Sequence, residues 1–196
     1  MTEKAFINPE KTALIVEDMQ KDFCYEDGAL FMGEGAREII PKIRGLIEKT
    51  IQKKVLLIFA LDWHSHDDEE FAIWGQHCVR DTRGAEIIDE LAPFSKEAYV
   101  VKKRKYSDFF GTDLDLHLKE KGIKTLIIVG VATNICVMHT AIDASLRGYE
   151  LIVPEDCVAA LSDYEHEYGL RHIKSVLNAT ITSSGDIVFR NVLLSK

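Results

Sequence analysis

Four places along this chain combine residue types that could do chemistry. Cys136 opens a helical pattern just after the apolar run Thr125–Val131 (TLIIVGV). The N–H groups and dipole of a first helical turn favour a thiolate, and a nearby lysine would favour it further, so Cys136 is the candidate nucleophile. Asp18 directly follows a second apolar run, Thr12–Val16, within VEDMQKDF. A carboxylate there could cap or solvate a loop, or accept the proton of a neighbouring thiol. Lys102 and Lys103 belong to a basic run, KKRK. Such runs usually face solvent, but a lysine that ends a buried strand stays in the site. Finally, Asp62-x-His64 with His77 downstream has the ligand types of a Zn²⁺, Fe²⁺ or Mn²⁺ site. Residues two apart on an extended segment share a side, so Asp62 and His64 can grip one ion. The same stretch offers His66, Asp67, Asp68, Glu69 and Glu70 as further ligands.

A repeated strand–helix pattern could bring these residues together. Thr12–Val16, Val55–Leu61, Ala98–Val101, Thr125–Val131, Leu151–Val153 and Ala179–Thr182 read as six strands. Apolar spacing at Ala36, Ile39, Ile40, Ile43, Leu46, Ile47 and Ile51 predicts an amphipathic helix over 35–53. Further helices are expected over 84–91 (GAEIIDEL), 111–122, 134–147 and 162–177, with a long polar loop over 62–84. Strands that are apolar throughout are buried on both faces, as parallel sheets require. The expected architecture is therefore an α/β three-layer sandwich: a six-stranded parallel sheet, Rossmann-like, with helices on both faces. Ligands of such folds bind at the carboxyl ends of the strands. Asp18 follows the first strand, Asp62 and His64 the second, Lys102 and Lys103 the third, and Cys136 the fourth. All reach one rim.

Composition narrows the function classes. In 196 residues, 24 Lys+Arg face 32 Asp+Glu, a net charge of −8. An acidic surface repels phosphate backbones, so nucleic acid is not an expected partner. The longest apolar stretch is far short of the ~20 residues that span a bilayer, so no membrane partner is expected either. The opening MTEKAFINPEK has no apolar segment of a secretory signal. Four cysteines, Cys24, Cys78, Cys136 and Cys157, are widely and irregularly spaced. These features predict a cytoplasmic protein with reduced thiols, folded as a single domain over 1–196.

The segments LIVEDMQKDF, DWH, WGQHCVRDTRGAE, KRKYSDFFGTDL and GVATNICV occur in that order from near Thr12 onward. Together they resemble the isochorismatase-like cysteine hydrolases, and among these most closely the nicotinamidase/pyrazinamidase branch. The resemblance implies an isochorismatase-like fold and a triad in which Asp18 is the general base, Lys103 (not Lys102) its cation and Cys136 the nucleophile. It implies metal ligands Asp62, His64 and His77, with Glu70 best placed as a fourth and His66 the alternative. The cofactor would be one divalent metal, zinc before iron or manganese. Phe23, Trp74 and Tyr106 would wall the pyridine ring. A cis, non-proline peptide between Val131 and Ala132 is also implied, with the N–H groups of Ala132 and Cys136 as an oxyanion hole. Asn134 stands where many of that branch carry an acidic residue, and Gln76 where proline or a basic residue is usual. The implied activity is hydrolysis of nicotinamide to nicotinate and ammonia, serving NAD salvage, by a protein that could form homo-oligomers. A cysteine hydrolase of another small amide (a ureido or carbamoyl compound), an isochorismatase-like hydrolase and a catalytically silent binding module are the alternatives.

Overall fold

The parallel sheet expected from the apolar runs is the frame of the protein, here a computed structural model that describes residues 4–190. Its strands are β2 (Thr12–Glu17), β3 (Leu56–Asp62), β4 (Tyr99–Lys103), β5 (Thr125–Val131), β6 (Glu150–Pro154), β7 (Val158–Ala159) and β8 (Thr180–Thr182). Six of them lie in the order β4-β3-β2-β5-β6-β8, every pair parallel. The seventh, β7, pairs with Gly130 and Val131 at the end of β5. Two residues carry no readable periodicity, so this strand is not legible as a pattern. A separate two-stranded sheet joins β1 (Ala5–Ile7) to β9 (Ile187–Phe189).

Alternation along the strands makes two cores. Leu14, Val16, Leu57, Phe59, Leu61, Ile127 and Val129 pack on one face with Ile40, Ile43, Leu46 and Ile47 of α3 (Ile40–Gln52). Ala13, Ile15, Ile58, Ala60, Leu126 and Ile128 face the other way. They meet α5 (Leu114–Glu120), α6 (Cys136–Leu146) and α7 (Asp163–Leu177) through Leu114, Leu118, Val137, Ala141, Ala144 and Ile173. With apolar residues on both sides of every central strand, each face needs its own helical layer, which gives three layers.

Three details differ from expectation. The helix over 35–53 is two helices, α2 (Glu34–Glu38) and α3, that meet at Ile39. Pro41 lies in the first turn of α3 and has no N–H to donate to the carbonyl four residues back in α2, which interrupts the ladder between the two helices. The polar loop contains one helical turn, α4 (Phe71–Trp74); a short α1 (Lys21–Cys24) follows β2. Most importantly, 84–91 is not a helix. Arg83–Ala85 makes a single 3₁₀ turn, the chain then runs extended to bridge Gln20 through Ile87, and residues 89–91 turn again without forming an α-helix. Its backbone groups are bonded to the Asp18 turn: Lys21 N–H donates to Glu86 O at 3.0 Å and Ile88 N–H to Met19 O at 3.1 Å. Ile88 and Leu91 are fully buried there, so tertiary pairing overrides the local helical pattern.

One glycine is required close to the rim. Gly130 sits at φ +116° beside Glu17, and a Cβ on it would lie 1.9 Å from the Glu17 carbonyl oxygen. Only a residue without a side chain lets β5 pass β2 at this point.

Candidate active site

Strand ends deliver the proposed triad to one point. Asp18 follows β2 in the left-handed region, φ 54°, with its N–H bonded to Ala60 O at 2.9 Å. Such a conformation costs a non-glycine residue energy and is found where surroundings enforce it. Lys103 ends β4 directly beside Asp62, which ends β3. Strand alternation decides between the two lysines. Lys103 is 1% exposed and turns inward, whereas Lys102 turns outward, its Nζ 3.6 Å from the Trp63 ring centroid. Lys103 Nζ donates to Asp18 Oδ2 at 2.8 Å and lies 3.2 Å from Asp62 Oδ1. Cys136 is the first residue of α6, buried, and lines the same small pocket as Asp18 and Asp62.

Gln20 is a residue that reading by chemical type passed over. Its Oε1 accepts the Asp62 N–H at 2.8 Å, while its Nε2 donates to Asp62 O and Ala85 O, each at 2.9 Å. Asp18 Oδ1 accepts the same Asp62 N–H at 3.1 Å. Gln20 thus locks the end of β3 to the Asp18 turn. Its place two residues after Asp18 was the only available signal.

Burial controls protonation here. It raises the Asp18 carboxyl to about 7, even though Lys103 pulls the other way. It also pushes the Cys136 thiol well above its ordinary range; Lys103 opposes this, but Asp18, Asp62 and Glu17 add to it. This corrects the expectation of a first-turn thiolate. In a site so dry and so rich in carboxylates, the helix end and one lysine do not outweigh desolvation. Burial therefore favours the thiol form of Cys136 over a thiolate. The other three cysteines are buried and unpaired, with Cys24 and Cys157 raised to about 12 by burial.

Beside the triad, Asp62, His64 and His77 present ligand atoms within 4.8 Å of one another. Asp62 Oδ2 lies 3.4 Å from His64 Nε2 and 3.8 Å from His77 Nε2. His77 Nδ1 donates to Gly75 O at 2.9 Å, and His64 Nδ1 meets Asp68 Oδ2 at 3.0 Å. Both rings are therefore oriented with Nε2 inward, the arrangement by which outer partners prepare metal-binding imidazoles. His64 Nε2 is buried without a hydrogen-bond partner. Burial disfavours charge on that ring, but Asp62, Asp68 and Glu70 prevail and raise it to about 9. An orphaned nitrogen among carboxylates suits a divalent cation, and two imidazoles with a carboxylate are a zinc-type donor set. Glu70 is buried beside them, grouped with His64 and Asp68 rather than with the trio, and its Oε2 lies 3.6 Å from Lys105 Nζ. Nothing draws His66 into either group of ligands.

All three expected aromatics, Phe23, Trp74 and Tyr106, line the pocket. Trp74 Nε1 donates to Tyr106 Oη at 3.1 Å, and the Phe23 ring lies 5.5 Å from that of His77. Leu30, Met32 and Ile135 complete the apolar wall. Nothing in their type or spacing distinguished them from core residues. The Val131–Ala132 peptide is cis, and both residues also line the pocket.

Fold and pocket define a class: an α/β protein that receives a small molecule at the carboxyl rim of a parallel sheet. Residues 12–185 match the isochorismatase domain, and the chain belongs to the isochorismatase family of hydrolases. It is similar to the crystal structure of nicotinamidase/pyrazinamidase PncA from Bacillus subtilis, at 36% identity and a TM-score of 0.85, covering 88% of this chain and all of that one. It resembles N-carbamoylsarcosine amidase from Thermoplasma acidophilum, at 38% identity and TM-score 0.81, covering 89% of this chain and 96% of the other. The pyrazinamidase of Pyrococcus horikoshii in complex with zinc is 37% identical with TM-score 0.81, over 88% of this chain and 99% of the other. Among the described residues no helix is long and apolar enough to cross a membrane.

Proposed function

We propose that this protein is a nicotinamidase, hydrolysing nicotinamide to nicotinate and ammonia through a thioester on Cys136. The observation that carries the reading is the convergence in one pocket of the Lys103–Asp18 pair at 2.8 Å, the Cys136 thiol and the Asp62–His64–His77 trio. Asp18, whose carboxyl titrates near 7, takes the proton of Cys136 as the sulfur attacks the carboxamide carbon. Lys103 holds Asp18 in place and compensates the charge that passes through it. The backbone N–H groups of Ala132 and Cys136 hold the oxyanion; as the first residue of α6, Cys136 has an N–H without an intrahelical acceptor. Asp18 returns the proton to the departing nitrogen, ammonia leaves, and Asp18 then activates water to release the acid from sulfur.

A divalent cation held by Asp62, His64 and His77, with Glu70 beside them, would bind the pyridine nitrogen and so orient the ring. Zinc is the first choice, given its presence in the Pyrococcus horikoshii relative. Phe23, Trp74 and Tyr106 would enclose the flat ring and exclude water. In a cell the reaction would return nicotinamide to NAD synthesis.

A second reading is favoured by the 38% identity to N-carbamoylsarcosine amidase: the same thioester chemistry on a carbamoyl or ureido amide. Ammonia release from nicotinamide, pyrazinamide and carbamoyl amides, measured with metal-loaded and chelator-treated protein, separates them. Metal-dependent release from nicotinamide is the expected result. Release from carbamoyl amides alone would replace the first reading by the second. No release from any amide, with Cys136 inert to thiol reagents, would favour a silent binding module.

A further inference from the structure

Two buried acids at the rim have no part in the chemistry above. Glu17 and Asp108 have no exposed surface, and neither lines the substrate pocket. Both approach Lys103 from positions separate from Asp18: Glu17 Oε1 lies 3.9 Å and Asp108 Oδ1 4.0 Å from Nζ. Thr140, one helical turn beyond Cys136 on α6, joins them. Its Oγ1 donates to Glu17 Oε1 at 2.9 Å and accepts the Asp108 N–H at 3.0 Å.

This arrangement leaves a deficit of protons. Lys103 Nζ donates to Asp18 at 2.8 Å and to the Tyr106 carbonyl at 3.3 Å, and pairs with Asp62 Oδ1 at 3.2 Å, closer than to either Glu17 or Asp108. The one proton of Thr140 is given to Glu17. Glu17 Oε2 and both carboxylate oxygens of Asp108 are left buried without a partner, although both acids converge on the same threonine and the same lysine nitrogen. Two ionised carboxylates that converge on one threonine and one ammonium in a dry interior repel, and each orphaned oxygen carries a desolvation cost. A single proton between them removes the repulsion and supplies the missing hydrogen bond.

We propose that Glu17 and Asp108 share one proton and act as a positioning pair for Lys103, linked through Thr140 to the helix that carries Cys136. With one proton the pair bears a single negative charge, enough to balance the ammonium without drawing it from Asp18. The groups that face the pair are Lys103 from β4, Asp18 from the turn after β2, Asp62 from β3, and Thr140 and Cys136 from α6. Burial raises Glu17 well above the carboxylate range and Asp108 to about 6, in keeping with a proton held at neutral pH.

The positioning role rests on the proposed chemistry of Lys103, but the shared proton does not, and the test separates the two. Infrared difference spectra of the metal-loaded full chain at neutral pH, in H₂O and D₂O, compare wild type with Glu17→Gln and Asp108→Asn. A protonated-carboxyl C=O band that shifts on deuteration is expected in the wild-type-minus-variant difference for both variants, where any contribution of Asp18 common to all three proteins cancels. An amide at either position supplies a permanent N–H, so Glu17→Gln is expected to keep kcat within about threefold. Glu17→Leu leaves Asp108 as a lone carboxylate competing for Lys103, and kcat falls about tenfold or more while KM stays within about twofold. Spectra in which wild type and both amide variants do not differ would overturn the shared proton, whether or not any amide is a substrate. Equal kcat for the Gln and Leu variants would overturn the positioning role.

Discussion

Replacing Lys103 by methionine keeps the buried stem and removes the charge, which makes it the sharpest probe of the site's electrostatics. The ammonium lies 2.8 Å from the Asp18 carboxylate. At an effective dielectric of about 20 that separation corresponds to about 6 kcal/mol of attraction. Desolvation of both groups offsets part of it, and truncating one partner of a buried pair costs about 3–5 kcal/mol. Asp18, Asp62, Glu17 and Asp108 all reach this one cation, so its loss leaves four buried acids without a counter-charge. They respond by binding protons. Lys103 now lowers the pKa of each of these acids, so in the variant all four titrate higher. An acid whose folded pKa exceeds its unfolded value contributes stability that is present below the unfolded value and lost as pH rises through the folded one. The deficit of Lys103→Met relative to wild type is therefore expected to grow from about pH 5 to about pH 8. Urea unfolding at both pH values, with a metal chelator present throughout, measures it. A variant as stable as wild type at about pH 8, or a deficit that shrinks with rising pH, would refute the reasoning.

Three other perturbations have defined outcomes. Asp68→Asn removes the carboxylate that orients His64 and is expected to weaken Zn²⁺ affinity about 10–100-fold in competition with a chromophoric chelator; unchanged affinity would remove Asp68 from the metal's outer shell. Gly130→Ala drives a Cβ into the Glu17 carbonyl and is expected to lower the unfolding free energy by at least about 3 kcal/mol, read from urea unfolding. On the acid side, kcat/KM of wild type is expected to fall as pH drops through a value at or below about 7. There Asp18 acquires a proton and ceases to be a base, and a cation on Asp62 draws that value downward.

The rim of the sheet was readable in the sequence because its determinants are local. Each of Asp18, Asp62, Lys103 and Cys136 sits at the end of an apolar strand or just beyond it, and strands buried on both faces declare a parallel sheet. The choice between Lys102 and Lys103 needed the register of β4 as well as the motif, and the two agree. What escaped depends on contacts distant in sequence. β1 pairs with β9 across residues 5 and 187, and β7 has two residues. GAEIIDEL has helical spacing but is held extended by Gln20 and Lys21, more than sixty positions earlier. The protonation of Cys136 was misjudged for the same reason: helix position is local, whereas desolvation and three surrounding carboxylates are products of the fold. Nothing in VEDMQ or YSDFF signals that Glu17 and Asp108 are buried against one lysine.

The central claim is that Cys136 forms a covalent acyl intermediate. Metal-loaded protein mixed with nicotinamide, quenched in acid within a turnover and digested, can be read by mass spectrometry. A nicotinoyl group is expected on the peptide that contains Cys136, absent from Cys136→Ala and lost on treatment with hydroxylamine. Full turnover of nicotinamide by Cys136→Ala would contradict it.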